Sequence, residues 1–124
     1  YVEHRYLHLS LRRQRQMCIR DSLLIESSNP RHSHEWKIFG DIKLPHDKVL
    51  VPGLIDSTSN FVEHPEVVAD RLIQFSTVVP KDQLMAGTDC GFSTFAGFGK
   101  IDENICYEKL HALVQGTLLA SKVI

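Results

Sequence analysis

The chain has 124 residues, a formal net charge of −1 with His neutral, 43% hydrophobic residues and 23% charged ones. Those values exclude collagen, low-complexity disorder and a disulfide-dense secreted scaffold. No apolar run approaches the roughly 18 residues of a membrane span, and near-neutrality leaves no general nucleic-acid footprint.

Residues 1–22 stand apart from the rest. They carry five Arg (Arg5, Arg12, Arg13, Arg15, Arg20) against Glu3 and Asp21, whereas residues 23–124 carry nine Lys/Arg against thirteen Asp/Glu. A basic phosphate-binding arm and a mitochondrial-type presequence are two readings of that segment. A third fits better: Met17-Cys18-Ile19-Arg20-Asp21-Ser22 resembles the in-frame translation of a transposon-end sequencing adapter, and the chain starts at Tyr1 rather than Met. Residues 1–22 are therefore expected to be an adapter and read-through artefact, and residues 23–124 to carry the fold.

From Leu23 onward one pattern repeats. Leu23-Leu24-Ile25 is an apolar run ending at Glu26. Val49-Leu50-Val51-Pro52-Gly53-Leu54-Ile55 ends at Asp56. Leu84-Met85-Ala86-Gly87 ends at Thr88-Asp89-Cys90. Continuous apolar runs predict parallel strands buried on both faces. Their polar ends recur after 30 and then 33 positions, the length of one βα unit.

The segments between read as helices. His34 to Phe39 predicts a short one stopped by Gly40. His64-Pro65-Glu66 opens the next, with a stripe of Val68, Leu72, Phe75 and Val79 and a stop at Pro80. Asp102 caps the last, with a predicted stripe of Cys106, Leu110, Leu113, Thr117 and Ala120. Strand alternating with helix implies an α/β fold with a parallel sheet, either a barrel or an open doubly wound sheet. Both place their chemistry at the carboxyl ends of the strands. Gly91, Gly97 and Gly99 do not fit the spacing of a dinucleotide fingerprint, which favours the barrel.

Several strand-end residues are chemical candidates. Glu26 needs a cationic partner such as Arg31, or a metal. Cys90 can be a nucleophile, a metal ligand or an inert buried thiol. Cys106, on the apolar stripe, reads as core. Few Cys and no disulfide framework point to a reducing, cytoplasmic setting. In His32-Ser33-His34-Glu35 the i and i+2 His could chelate a metal, but Asn29-Pro30 before them signals a turn. Trp36 reads as core. The polar run Asp56-Ser57-Thr58-Ser59-Asn60 either lines a site or caps a loop. Phe92, Phe95 and Phe98 could cover a ring-bearing substrate or simply pack.

Together these phrases resemble a known family. Ile25-Glu26-Ser27-Ser28, Asn29 to Trp36, Pro52-Gly53-Leu54-Ile55-Asp56, Asn60-Phe61-Val62-Glu63-His64-Pro65-Glu66 and Gly87-Thr88-Asp89-Cys90-Gly91 are similar to the carboxyl-terminal end of cobalamin-independent methionine synthase-like proteins, most closely their shorter archaeal and bacterial branch. The resemblance implies a carboxyl-terminal portion, about three βα units, of a (β/α)8 TIM barrel. It implies Zn2+ at the strand ends, held by a His-x-Cys pair, a Glu and a second Cys. The Glu falls on Glu26 and the second Cys on Cys90; no His-x-Cys occurs in this sequence. It implies methyl transfer from 5-methyltetrahydropteroyl(tri)glutamate to homocysteine, giving methionine. Asp56 corresponds to an acidic residue of the synthase site and is the candidate catalytic residue. Ser28, Ser59 and Asp89 are the candidate substrate-binding residues.

Thr58 stands where the synthases carry a His proposed as the acid for the departing folate, and Thr does not titrate near neutrality. The Asn29-Pro30-Arg31-His32 stretch also replaces a Ser-Arg-Ser phrase. Two alternatives therefore stay open: a zinc alkyltransferase acting on another thiol, and a non-catalytic truncated reading frame. The expected partners are a thiol and a methylfolate, with no nucleic acid and no membrane.

Overall fold

The computed structural model describes residues 21–93, 99 and 101–124. The expected boundary at residue 22 borders this range; residues 1–20, with most of the proposed adapter, lie outside it.

Three parallel strands form the sheet in the order β1-β2-β3: Ser22–Ile25, Val49–Ile55 and Gly87–Thr88. β1 starts at Ser22, which pairs with Val49; Leu23 pairs with Leu50 and Ile25 with Pro52. Pro52 sits in the central strand, where it removes one ladder donor. β3 is shorter than its apolar run predicts. Leu84 bridges to Leu50, and Met85 N–H donates to the Leu50 carbonyl at 2.9 Å. A register irregularity between Gly53 and Ile55 then leaves only Gly87 and Thr88 as strand. The glycine at 87 matters because a Cβ there would come within 2.8 Å of Val51 Cγ1.

The expected two-sided burial holds for β2, where Leu50, Leu54 and Ile55 have no exposed surface. It fails for its neighbours: Leu24 and Met85 are each 57% exposed. A parallel strand is covered on both faces only where helices or further strands lie on both, and Leu24 and Met85 lack that cover among the described residues.

After β1 a 3-10 turn, Glu35–Lys37, runs into the short helix α1, Ile38–Asp41. Gly40 lies inside α1 rather than after it, and Ile42 closes the helix. Trp36 and Phe39 pack against the buried cluster of Leu50, Phe75 and Val79, so Trp36 joins the core as expected.

α2 spans Pro65–Ser76. His64 caps it by accepting a hydrogen bond from Glu66 N–H, and Pro65 occupies the first helical position, where its missing N–H costs nothing. Val68, Leu72 and Phe75 are buried on the sheet side, each worth about 1.5–3 kcal/mol of transfer free energy. Thr77 ends the helix three residues before Pro80.

α3 spans Glu103–Ala120, capped as expected by Asp102, whose side chain accepts from Asn104 N–H. Its buried face differs from the predicted stripe by about one position. Lys109, Ala112, Gly116 and Ala120 point inward, while Leu110 is exposed and Cys106 half-buried. Small residues win because α2 and α3 pack closely: a Cβ on Gly116 would lie 2.5 Å from Val68 Cβ and 2.6 Å from the Pro65 carbonyl oxygen. The larger apolar side chains are thereby turned outward.

Candidate functional site at the strand ends

Glu26, Asp56 and Asp89-Cys90 follow the three strands directly, so the sheet carries all of them to one edge. The middle strand is low there. Any Cβ at Gly53 would collide with the Asp89 side chain and backbone. Glycine thus lets the loops after β1 and β3 meet across β2.

Asp89 makes that meeting tight. Its Oδ1 accepts from Ser27 N–H at 2.9 Å and Ser28 N–H at 3.0 Å. Its Oδ2 accepts from Asn29 N–H and Asn29 Nδ2, both at 3.1 Å. The Ser27 hydroxyl donates to the Gly53 carbonyl. The loop after β1 is therefore folded around a carboxylate from β3. Ser28 is buried, and its Oγ is without a hydrogen-bond partner among the described residues.

This arrangement brings Glu26 and Cys90 into contact. Cys90 Sγ donates to Glu26 Oε1 at 2.7 Å. The hydrogen bond to that carboxylate, then partial burial and the charges of Glu26 and Asp89, push the thiol up to about 11, against an opposing hydrogen bond from Ser57. Glu26 Oε2 accepts from Asn29 Nδ2 at 3.0 Å and lies 3.8 Å from His32 Nε2. Its partners are thus Asn29, His32 and Cys90, not Arg31.

His32 and His34 do not form the chelate that their i, i+2 spacing allows. They sit in a turn, where His32 N–H donates to the Asn29 carbonyl. His32 Nδ1 instead meets Glu35 Oε1 at 2.7 Å. That bond first raises the His32 pKa; loss of solvent opposes it, and the charges of Glu35, Glu26 and Asp89 add to the rise.

Asp56 closes an Asx turn. Its Oδ1 accepts from Thr58 N–H at 3.0 Å and Thr58 Oγ1 at 2.9 Å. Partial burial alone would raise its pKa. The Thr58 and Ser59 hydrogen bonds and the Lys109 charge outweigh burial and hold it low. Of the two readings of this polar run, loop capping is the one these bonds show. Ser59 Oγ accepts from Lys109 Nζ at 3.2 Å.

Lys109 and Glu63 are absent from the sequence-based candidates. Lys109 has no exposed surface, and its Nζ lies 2.9 Å from Glu63 Oε2. Glu63 Oε1 in turn accepts from Asp56 N–H at 2.7 Å. The only hint in the sequence is a Lys one position off the apolar stripe of α3.

A pocket of about 610 Å3 opens between the loop after β3 and the first turns of α3, with Phe92, Ile101, Cys106 and Tyr107 among its lining residues. Phe95 and Phe98 lie outside the described residues. Cys106 contributes to this wall rather than to the core.

Two known proteins share this arrangement of elements or phrases. Over 82% of its length the chain matches the B12-independent methionine synthase from Shewanella sp. W3-18-1, solved in complex with selenomethionine, with a TM-score of 0.67 and 25% sequence identity. Both relatives are enzymes. The second, 2-hydroxypropyl-CoM lyase from Xanthobacter autotrophicus, is 36% identical over 74 residues, 60% of this chain. The chain spans 27% of the synthase and 18% of the lyase. No family model matches. The mixed α/β fold with a parallel sheet thus corresponds to part of a TIM-barrel-type methionine synthase domain.

The donor set at the edge suits zinc in kind. A thiol and a carboxylate from separate strand ends touch, and the unshielded carboxylate charge holds the proton on sulfur. A divalent cation between them would reverse that preference. Among the described residues no three His, Cys, Asp or Glu side chains are grouped closely enough to hold a metal ion. Glu26 and Cys90 are the carboxylate and thiol in contact at this edge. No helix among the described residues is long and apolar enough to cross a membrane.

Proposed function

We propose that residues 23–124 are the carboxyl-terminal part of a zinc-dependent methyltransferase of the methionine synthase type. The reaction moves a methyl group from 5-methyltetrahydropteroyl(tri)glutamate to the sulfur of homocysteine. A carbon–sulfur bond forms, the methyl–nitrogen bond breaks, and the departing folate nitrogen takes a proton. The observation that carries this reading is the 2.7 Å contact between Glu26 and Cys90, made across β2 by two loops that Asp89 ties together.

In this reading Glu26 and Cys90 hold the zinc. Zinc, when bound, deprotonates a thiol substrate and makes it nucleophilic at neutral pH. Asp56, ionised and fixed by Thr58, presents a negative charge to a cationic or proton-bearing substrate group at the same edge. Ser28 offers a buried hydroxyl with free hydrogen-bonding capacity. The exposed Leu24 and Met85 fit a chain whose apolar surfaces are covered by further barrel units in a longer protein. Two donors hold zinc far more weakly than four, so the 124-residue chain alone is expected to be inactive.

The decisive experiment uses the full-length protein. One zinc per chain and methionine formation from methylfolate and homocysteine are expected, with zinc lost in Glu26→Ala and Cys90→Ala. Stoichiometric zinc retained in both variants overturns the ligand assignment. Thr58, in place of a titrating group, and the 36% identity to a CoM lyase favour a second reading, alkyl transfer on a different thiol. Full zinc occupancy with no methionine formed selects it.

A further inference from the structure

Lysine is almost never fully buried without a partner. Lys109 is 0% exposed and the Glu63 side chain 4%. The Lys109 ammonium contacts Glu63 Oε2 and Ser59 Oγ and lies 5.5 Å from the centre of the Phe61 ring. Every one of these contacts is on the single segment that joins β2 to α2.

A buried ion pair is a poor device for stability alone, because desolvating two charges offsets most of their attraction. An apolar pair of similar volume often holds a fold as well. What distinguishes this pair is where its remaining bonds go. Glu63 uses its second oxygen on Asp56 N–H at 2.7 Å. Lys109 reaches Ser59, whose hydroxyl hydrogen-bonds the Asp56 carboxylate. Asp56 is thus gripped twice, by main chain and by side chain, from one buried point. Between these grips Ser57 is buried and hydrogen-bonds the Cys90 sulfur. The pair is connected to the candidate site through residues 56, 57 and 59.

We infer that Lys109 and Glu63 are positioning residues: from the last helix and the loop's far end they fix the main chain of Asp56–Ser59, and so set Asp56 and Ser57 against the Glu26–Cys90 edge. The geometric half stands independently. The effect on turnover rests on the proposed function.

The test uses the full-length protein and the double variant Glu63→Leu/Lys109→Met, which keeps volume and removes both charges. Thermal midpoint, zinc content, amide exchange of residues 56–60 and steady-state methyl transfer are measured together. The double variant is expected to melt above either single variant and to retain its zinc. Its amides at 56–60 are expected to exchange at least about tenfold faster, with unchanged exchange in α2 and α3. A loss of about tenfold in kcat with little change in KM for the thiol is expected alongside, since a displaced group costs orientation rather than binding.

A folded double variant whose amide exchange and kcat both stay within about twofold of the unsubstituted protein overturns the inference, because packing alone then explains the pair. Should the double variant not fold, Glu63→Asp keeps the charge but shortens its reach, and the same exchange reading at residues 56–60 decides. Should the unsubstituted protein transfer no methyl group, the proposed function fails while amide exchange still judges the pair.

Discussion

Two carboxylates near the strand ends meet opposite fates. Glu63, after β2, has a lysine from the same chain, is almost completely buried and fixes a loop. Glu26, after β1, has a thiol, an amide and a histidine at 3.8 Å, and its side chain is 42% exposed. Where the chain supplies a full cation, the charge is neutralised and the surroundings are set. Where it does not, the negative charge of Glu26 and Asp89 is felt by Cys90, whose proton it retains. The first arrangement is complete within the chain. The second is shared among weaker partners.

The largest expected effect breaks the complete arrangement. Lys109→Met leaves Glu63 buried without its cation, and is expected to cost about 3–5 kcal/mol. Glu26→Gln removes a partly exposed carboxylate and is expected to cost under about 1 kcal/mol. Denaturant unfolding of both variants checks the contrast; equal losses would erase it. Gly116→Ala attacks the same arrangement indirectly, by forcing the helix that carries Lys109 away from Pro65 and Val68. Overpacking there is expected to cost about 1–3 kcal/mol, read as a lower denaturant midpoint.

The next effect sharpens the incomplete arrangement. In a metal-free chain carrying Cys18→Ser and Cys106→Ser, alkylation of Cys90 should be slow at pH 8 and keep accelerating toward pH 11, because the folded thiol titrates at about 11. Glu26→Gln removes the first cause of that shift and should speed alkylation at pH 8 by about tenfold or more, near 1.4 kcal/mol. An unchanged rate would mean that Glu26 does not govern the sulfur. The raised pKa also makes metal-free stability fall as pH rises from the ordinary thiol range toward 11.

The smallest effect concerns Asp56. Its folded pKa is lowered, so the stability it lends is present above its unfolded value and lost as pH falls through the folded one. Asp56→Asn abolishes that dependence. Solvent screening keeps the change under about 1 kcal/mol, measurable as the difference between acid-unfolding curves.

How much of this was legible in the sequence follows from the range of the signals. β1, β2 and α2 could be read because continuous apolar runs, a Pro at a helix start and a stripe spaced by three and four are local patterns. The convergence of Glu26 and Cys90 came from the family resemblance, since no local rule joins residues 64 positions apart. The inward face of α3 was misplaced because hydrophobicity ranks Leu110 above Gly116, while the close approach to Val68 favours the residue without a side chain. Lys109 was missed for the related reason that a lysine is charged to a solvent face by default, and its partner Glu63 lies 46 residues earlier. Gly40 shows the limit of punctuation: a glycine is tolerated inside a short helix when the residue two positions on supplies the stop.

Asp89 also orders events in time. Its carboxylate shapes the backbone of residues 27–29, which precede it by 60 to 62 positions. During synthesis at about 5–20 residues per second, the loop bearing Glu26 waits some seconds, about 3–12, before its template is made. Until then Glu26 has no fixed direction, and Cys90 does not yet exist to meet it. Glu26 and Cys90 therefore become a pair only once Asp89 has been added and the earlier loop has closed on it.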